Sequence, residues 1–341
     1  DFMAGNTTAF VKRVERQTER IGAERVAQRA AEIMAWIGLP LVQRDQAPKG
    51  VKAPAVAAVL ADGGRLQLCE ENAAARPRAS SNPSSNAKSH WHEYKAGVLQ
   101  ILKSDTSIND PCAALPEVYL RPEKIDKLSR EITSLAAREE PAGPPTPSAA
   151  EHPPLALSDP LVPLAEVVPC GYEPPEIIDR DVVATRHDSR EFGSQLAARA
   201  WSLGLFAAPR KAFVGDGSSW IWTEWDRHFK AFGFVPILDF IHALTRVYAA
   251  ALAGRSQTAG WEIYRRWITW TWQGEVAKVI AELAARQQEL GLPTTDDGDT
   301  DGDTSPRRIV SETLTYLQNQ QSRMNYPAYR KQGLPITSAH M

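Results

Sequence analysis

The chain has 341 residues, 43% of them hydrophobic and 23% charged, an ordinary globular composition that argues against a wholly disordered or fibrous chain. Its formal net charge of −2 rules out a bulk polycation, so any nucleic-acid contact has to come from local basic patches. No apolar run reaches the length of a membrane span, and Cys69, Cys112 and Cys170 lie far apart without a CxxC, which suits free thiols in a reducing cytoplasm rather than a disulfide framework or zinc finger.

The length suits two domains, or one domain with large insertions. The opening Asp1-Phe2-Met3 carries no leader pattern, so no signal peptide is expected. Residues 8–38 are helical by spacing, with Phe10, Val14, Ile21, Val26, Ile33 and Ile37 recurring at helical intervals before Gly38-Leu39-Pro40. Gly22 divides this stretch into two expected helices. The segment is slightly basic, and a docking helical arm is preferred over a helix-turn-helix reader.

Residues 56–60 form a short apolar run that suits a buried strand, ended by the turn signal Asp62-Gly63-Gly64. Arg65 to Cys69 then alternates as a hairpin partner should. Residues 72–90 are a loop by composition, and 96–102 make a third antiparallel strand. A helix is expected near 122–138, with Ile125, Leu128, Ile132 and Leu135 on one face. Prolines crowd 139–175 too densely for regular structure, so an extended surface insertion is expected there.

Helical spacing returns over 188–206, opened by the cap signal Asp188-Ser189-Arg190-Glu191. Short strands follow at 212–214 and 234–238. A helix after Asp239 carries His242, Leu244, Val247 and Tyr248. Residues 257–290 are expected to be one long helical stretch. Seven of the ten tryptophans lie between Trp220 and Trp272, where core packing is preferred and base stacking is the alternative. Residues 294–306 form a solvated loop, and a last helix covers 307–322.

Five constellations bear on chemistry. Asp62-Gly63 and Asp216-Gly217 each follow an apolar strand, where carboxylates held by a sheet can converge on a hard cation. Two such ions activate water and stabilise a leaving oxygen in phosphodiester chemistry, whereas two ordinary β-turns are the plain alternative. Asp239 and His242 stand where a strand passes into a helix, which suits a cap and a packed histidine. The acidic loop Asp297-Gly298-Asp299-Thr300-Asp301-Gly302-Asp303 fits the early positions of a calcium loop, but Arg308 occupies the place of the closing glutamate. His90 and His92 are a weak metal pair with no cysteine beside them. The stretch from 307 onward is basic, with Arg307, Arg308, Arg323, Arg330 and Lys331 against Glu312, and it holds Tyr316, Tyr326 and Tyr329. That mixture suits a nucleic-acid backbone or a solvated helix face.

Several of these motifs, in their order, resemble a known family. They are Val59-Leu60-Ala61-Asp62-Gly63-Gly64-Arg65, His90-Trp91-His92-Glu93-Tyr94-Lys95, Val214-Gly215-Asp216-Gly217-Ser218-Ser219-Trp220-Ile221-Trp222, Pro236-Ile237-Leu238-Asp239-Phe240-Ile241-His242 and the late run Tyr326-Pro327-Ala328-Tyr329-Arg330-Lys331-Gln332-Gly333-Leu334-Pro335-Ile336-Thr337-Ser338. Together they are similar to bacterial insertion-sequence transposases of the DDE kind, specifically the Kra-type group related to the Mutator superfamily.

The resemblance implies an α/β, ribonuclease H-like mixed sheet with a helical insertion and an N-terminal helical arm. With the helical arm that the spacing gives at 1–50, for which DNA binding is the alternative to docking, the chain divides into that arm, a catalytic core at 51–256 with a proline-rich insertion at about 139–175, a helical insertion at 257–325 and the start of a final core segment at 326–341. Asp62 and Asp216 would be catalytic carboxylates binding Mg²⁺ (or Mn²⁺), and Asp239 with His242 would be the family's DxxH element. From the basic composition of the last stretch, and not from the resemblance, Arg323, Arg330 and Lys331 are the expected DNA contacts. The implied partners are transposon ends, target DNA and further copies of the chain, with no membrane. The family's third acid, a glutamate, is expected directly after Ser338-Ala339-His340-Met341 and is absent from this sequence, which would impair catalysis. A DNA-binding relic without catalysis and a helical interaction protein are the alternatives.

Overall fold

The computed structural model describes residues 2–67, 91–137, 173–293 and 305–338. The acidic loop at 297–303, Cys69, Cys170, His90 and nearly all of the proline-rich insertion lie outside the described residues. In chain order the elements are α1 (Phe2–Gly38), α2 (Leu41–Arg44), β1 (Val56–Gln67), β2 (Trp91–Lys103), α3 (Pro122–Ala137), β3 (Glu176–Thr185), α4 (Ser189–Ser202), β4 (Arg210–Gly215), α5 (Ser219–His228), β5 (Val235–Leu238), α6 (Phe240–Leu252), α7 (Gln257–Trp272), α8 (Val276–Leu290), α9 (Pro306–Gln320) and α10 (Tyr326–Lys331).

The five strands form one mixed sheet in the order β3-β2-β1-β4-β5. β1, β2 and β3 pair antiparallel, while β4 and β5 run parallel to β1. β1 is the middle strand, and Val56, Ala57, Ala58, Val59 and Leu60 are all buried. A strand covered on both faces has no solvent side to supply polar alternation, so it shows as a continuous apolar run. Ala212, Phe213 and Val214 of β4 follow the same rule. β3 is an edge strand with mostly exposed side chains, and its weak pattern in the sequence follows from that.

The turn expected at Asp62-Gly63-Gly64 does not form. β1 runs straight through it, and its antiparallel partner is β2 rather than the residues that follow Gly64. The glycines serve packing here. A Cβ on Gly64 would lie 2.6 Å from the Tyr94 hydroxyl, and one on Gly63 would lie 3.4 Å from the Trp220 ring. Two aromatic rings thus fill the notch that glycine leaves.

The arm is one helix, undivided at Gly22, where a Cβ would meet nothing within 4 Å. A helix-interior glycine costs only about 1 kcal/mol, too little to break a helix of this length. The arm docks on α4 by its C-terminal part. Trp36 is 2% exposed and packs on Phe206 at 4.7 Å between ring centroids. Arg199 of α4 reaches Glu32 at 3.1 Å and also pairs with Asp181 of β3. α2 is a single turn with no buried residue, so α1 and α2 do not make a packed helix-turn-helix pair.

The stretch 257–290 is two helices rather than one. α7 ends at Trp272 and α8 starts at Val276, with Gly274 at φ 75° in the break. That left-handed backbone suits glycine and lets the chain reverse. α7 packs on α6 and α8, and α9 packs on α8 and α6. Trp222, Trp267 and Trp272 are buried, while Trp220, Trp225, Trp261 and Trp270 are half-buried against the core. The cluster is therefore core packing, with no fully exposed indole for base stacking.

Candidate carboxylate site at the strand ends

Parallel pairing sets three aspartates in one row. Ala61 of β1 is in register with Gly215 of β4, and Gly215 with Leu238 of β5. The next residue on each strand is Asp62, Asp216 and Asp239. β4 and β5 stop there, whereas β1 continues along β2. The β4 side of β1 is thereby open just where Asp62 stands. Loops at the carboxyl ends of parallel strands are the usual place for a ligand in such sheets.

The three carboxylates meet different fates. Asp62 is half-buried, and its Oδ1 accepts the Gly63 N–H at 2.8 Å. Burial pushes its carboxyl above the usual value, the charges of Asp216 and Asp239 add to that, and His242 and the Gly63 amide oppose it. Asp216 is held by the residue that starts α5. Its Oδ1 accepts the Ser218 N–H at 2.7 Å and its Oδ2 accepts the Ser218 hydroxyl at 2.9 Å. The N-terminal end of α5 lies beside this carboxylate.

Asp239 is 1% exposed and fully engaged. Its Oδ1 accepts the Ile241 N–H at 2.8 Å, capping α6, and the Thr337 hydroxyl at 3.1 Å. Its Oδ2 accepts the Ser338 N–H at 2.7 Å and the Ser338 hydroxyl. The backbone joins in, because the Phe240 N–H donates to the Ile336 carbonyl at 2.9 Å. Asp239 is thus the latch between α6 and the last described segment.

Helix α9 closes the site from the side. The Tyr316 hydroxyl donates to the Asp216 carbonyl at 2.6 Å, and Gln320 Nε2 donates to the Gly217 carbonyl at 2.9 Å. Burial and the Asp216 charge push the Tyr316 phenol well above its ordinary value, with Arg246 opposing, so it stays a donor. Gly217 has φ +105°, and a Cβ there would lie 2.5 Å from Tyr316 Cε2. Only glycine lets the Asp216 loop turn back under that ring. Sequence patterns had singled out Tyr316 only as an aromatic of the basic stretch, and had not marked Gln320, Arg246 or Ser338 for the site. The signal for Arg246 was its place four residues after His242.

The basic C-terminal residues separate. Arg330 is 1% exposed, forks onto the Asp110 carboxylate and donates to the Trp272 carbonyl at 3.1 Å. Its guanidinium lies 4.0 Å from the centre of the Trp272 ring. Its burial keeps it from a phosphate, which corrects its expected DNA role: a buried guanidinium needs its own carboxylate, and Asp110 supplies it. Arg323 is half-buried, donates to the Asn319 carbonyl and Gln320 Oε1, and lies 4.4 Å from the Trp222 ring centre. Lys331 is half-buried and makes no ion pair among the described residues.

Among the described residues, no group of three or more His, Cys, Asp or Glu is arranged to hold a metal ion by itself. Asp62 and Asp216 nevertheless fit one chemistry. A carboxyl kept up by burial and by neighbouring carboxylates is the group a hard dication relieves. Mg²⁺ commonly takes one or two protein carboxylates and completes its shell with water and substrate phosphates. No helix among the described residues is long and apolar enough to cross a membrane. Compared with known proteins, the chain matches no family model, no curated protein sequence and no solved structure.

Proposed function

We propose that this chain is a transposase-like protein of the DDE kind, built on a ribonuclease H-like core and directed at the phosphodiester backbone of DNA. The observation that carries the reading is the placement of Asp62 and Asp216 one residue beyond Ala61 and Gly215, the last paired positions of the parallel strands β1 and β4. The sheet order, with three antiparallel strands followed by two parallel ones, supports the ribonuclease H-like assignment.

In this reading Asp62 and Asp216 hold Mg²⁺ (or Mn²⁺). When bound, the ion supplies activation of water and stabilisation of the leaving oxygen at a transposon end. The chain's own residues prepare the place. Ser218 and Tyr316 fix the Asp216 loop, and His242 lies close enough to Asp62 for its charge to favour the carboxylate. Asp239 orients α6 and so aims His242. The freed 3′-hydroxyl would then attack a target phosphodiester, forming one O–P bond as another breaks. DNA ends, target DNA and further copies of the chain are the partners in this scheme.

One observation favours a second reading. The third carboxylate of the row is spent on the latch, and among the described residues no other acid joins Asp62 and Asp216. A chain that binds DNA and metal without cutting has this donor set. The test is Mn²⁺ binding by calorimetry and Mg²⁺-dependent nicking of duplex DNA, with Asp62→Asn and Asp216→Asn alongside. Mn²⁺ binding that both substitutions abolish supports the site, and binding that neither changes overturns it. Metal and DNA binding without nicking selects the second reading.

A further inference from the structure

Helix α6 leaves the sheet at the site itself. Asp239 caps it next to Asp216, so the first turns of α6 rise directly from the carboxylate row. His242 and Arg246 stand four residues apart and share one face, about 6 Å apart along the axis. Arg246 is exposed, and its guanidinium lies 5.5 Å from the centre of the Tyr316 ring. That ring's hydroxyl is the one bound to the Asp216 carbonyl. The arginine is thus propped on the same aromatic that fixes the Asp216 loop.

Arg246 forms no ion pair among the described residues, unlike Arg199, Arg266 and Arg330, each of which is matched to a carboxylate. Arginine presents a planar fork of donors suited to phosphate oxygens, and holding it against a ring reduces the entropy lost on binding. A phosphodiester drawn to Asp62 and Asp216 through a dication has a neighbouring phosphate one nucleotide along the strand. A cation one helical turn beyond His242 is where that phosphate needs a partner.

We propose that Arg246 is a phosphate-contacting residue, which takes the backbone phosphate next to the one held at Asp62 and Asp216 and so sets the path of the substrate strand along α6. This rests on the reading of Asp62 and Asp216 given above. The contact is independent of base sequence.

The experiment is fluorescence anisotropy of a short labelled DNA duplex with Ca²⁺ in place of Mg²⁺, over a salt series, for the full chain, Arg246→Met and Arg246→Lys. Methionine keeps an apolar stem over the Tyr316 ring without the charge. Arg246→Met is expected to bind roughly tenfold more weakly on every sequence tried, with a log–log salt slope smaller by about one. Lysine is expected to restore the slope. Mn²⁺ affinity, measured by calorimetry without DNA, is expected to stay that of the wild type. A slope unchanged in Arg246→Met overturns the proposal while leaving the carboxylate site standing. Lost Mn²⁺ affinity also overturns it, because the arginine would then act through Tyr316 and the Asp216 loop. A wild-type chain that binds neither Mn²⁺ nor DNA overturns the site reading and this proposal together.

Discussion

Removing the Asp239 carboxylate separates a latch from a metal ligand. Its carboxylate accepts four hydrogen bonds, from the Ile241 amide, the Thr337 hydroxyl, and the amide and hydroxyl of Ser338. Asp239→Ala removes a helix cap worth about 1 kcal/mol. It also strips a charged acceptor from the Ser338 amide, a bond worth about 1.5–3 kcal/mol. The two hydroxyls regain water as the last segment loosens, so they add little. The expected total is about 2.5–4 kcal/mol, or roughly 3–6 °C in Tm for a chain of this size. Asp239→Asn keeps one acceptor oxygen for the cap but presents an amide to Ser338, and about half of the loss is expected. The assay is urea denaturation followed by tryptophan fluorescence, with hydrogen exchange at the Ile241 and Ser338 amides. Both amides are expected to lose protection in Asp239→Ala, and only Ser338 in Asp239→Asn. Stability within about 0.5 kcal/mol of the wild type in Asp239→Ala would refute the latch.

Other outcomes follow from the same geometry. The Asp62 carboxyl is raised above its ordinary value of 3.8, so the fold holds that proton more tightly than the unfolded chain does. Its charge therefore costs stability as pH rises through that value and above it. Asp62→Asn is expected to be more stable than the wild type at neutral pH in metal-free buffer, and the gap should close below pH 3.8, as thermal melts across pH would show. Gly217→Ala places a Cβ 2.5 Å from Tyr316 at φ +105° and should cost about 1–3 kcal/mol while weakening Mn²⁺ binding, read by melting and calorimetry. Arg330→Ala leaves the half-buried Asp110 without its partner and should cost about 2–3 kcal/mol in denaturant titration, with no change in the salt slope of DNA binding. A changed slope with unchanged stability would return Arg330 to the DNA surface. Burial raises the Asp110 carboxyl, but the hydrogen bonds from Arg330 and the Cys112 amide outweigh it and hold the group below its ordinary value. The stability from that pair is present above pH 3.8 and should fade as pH drops through the lower folded value.

Local chemistry made much of the fold legible. Asp188 and Asp239 were readable as caps because a short acid before an apolar helical pattern can accept that helix's free amides. Residues 56–60 and 212–214 were readable as buried strands because covering both faces removes every polar position. The same reasoning failed at Asp62-Gly63-Gly64, where the turn signal is real but Tyr94 and Trp220 need the space that the glycines leave. It failed at 257–290 because a three-residue reversal around Gly274 hardly disturbs a helical periodicity.

The candidate site shows where sequence stops. Asp62 and Asp216 stood out as acids at the ends of apolar runs, yet nothing local says that their strands pair in parallel and in register. Asp239 was readable as a helix cap, yet its second use as a latch depends on Ser338, 99 residues later. Arg330 looked like a surface cation until Asp110, 220 residues earlier, took its charge. The sequence by itself determined caps, periodicities and which strands are buried, because those depend on neighbours within a few residues. Tertiary structure alone decided which charges are spent on one another and which, like Arg246, remain open. Pairing a charge takes a partner within a few ångströms, and only the folded chain brings distant residues that close.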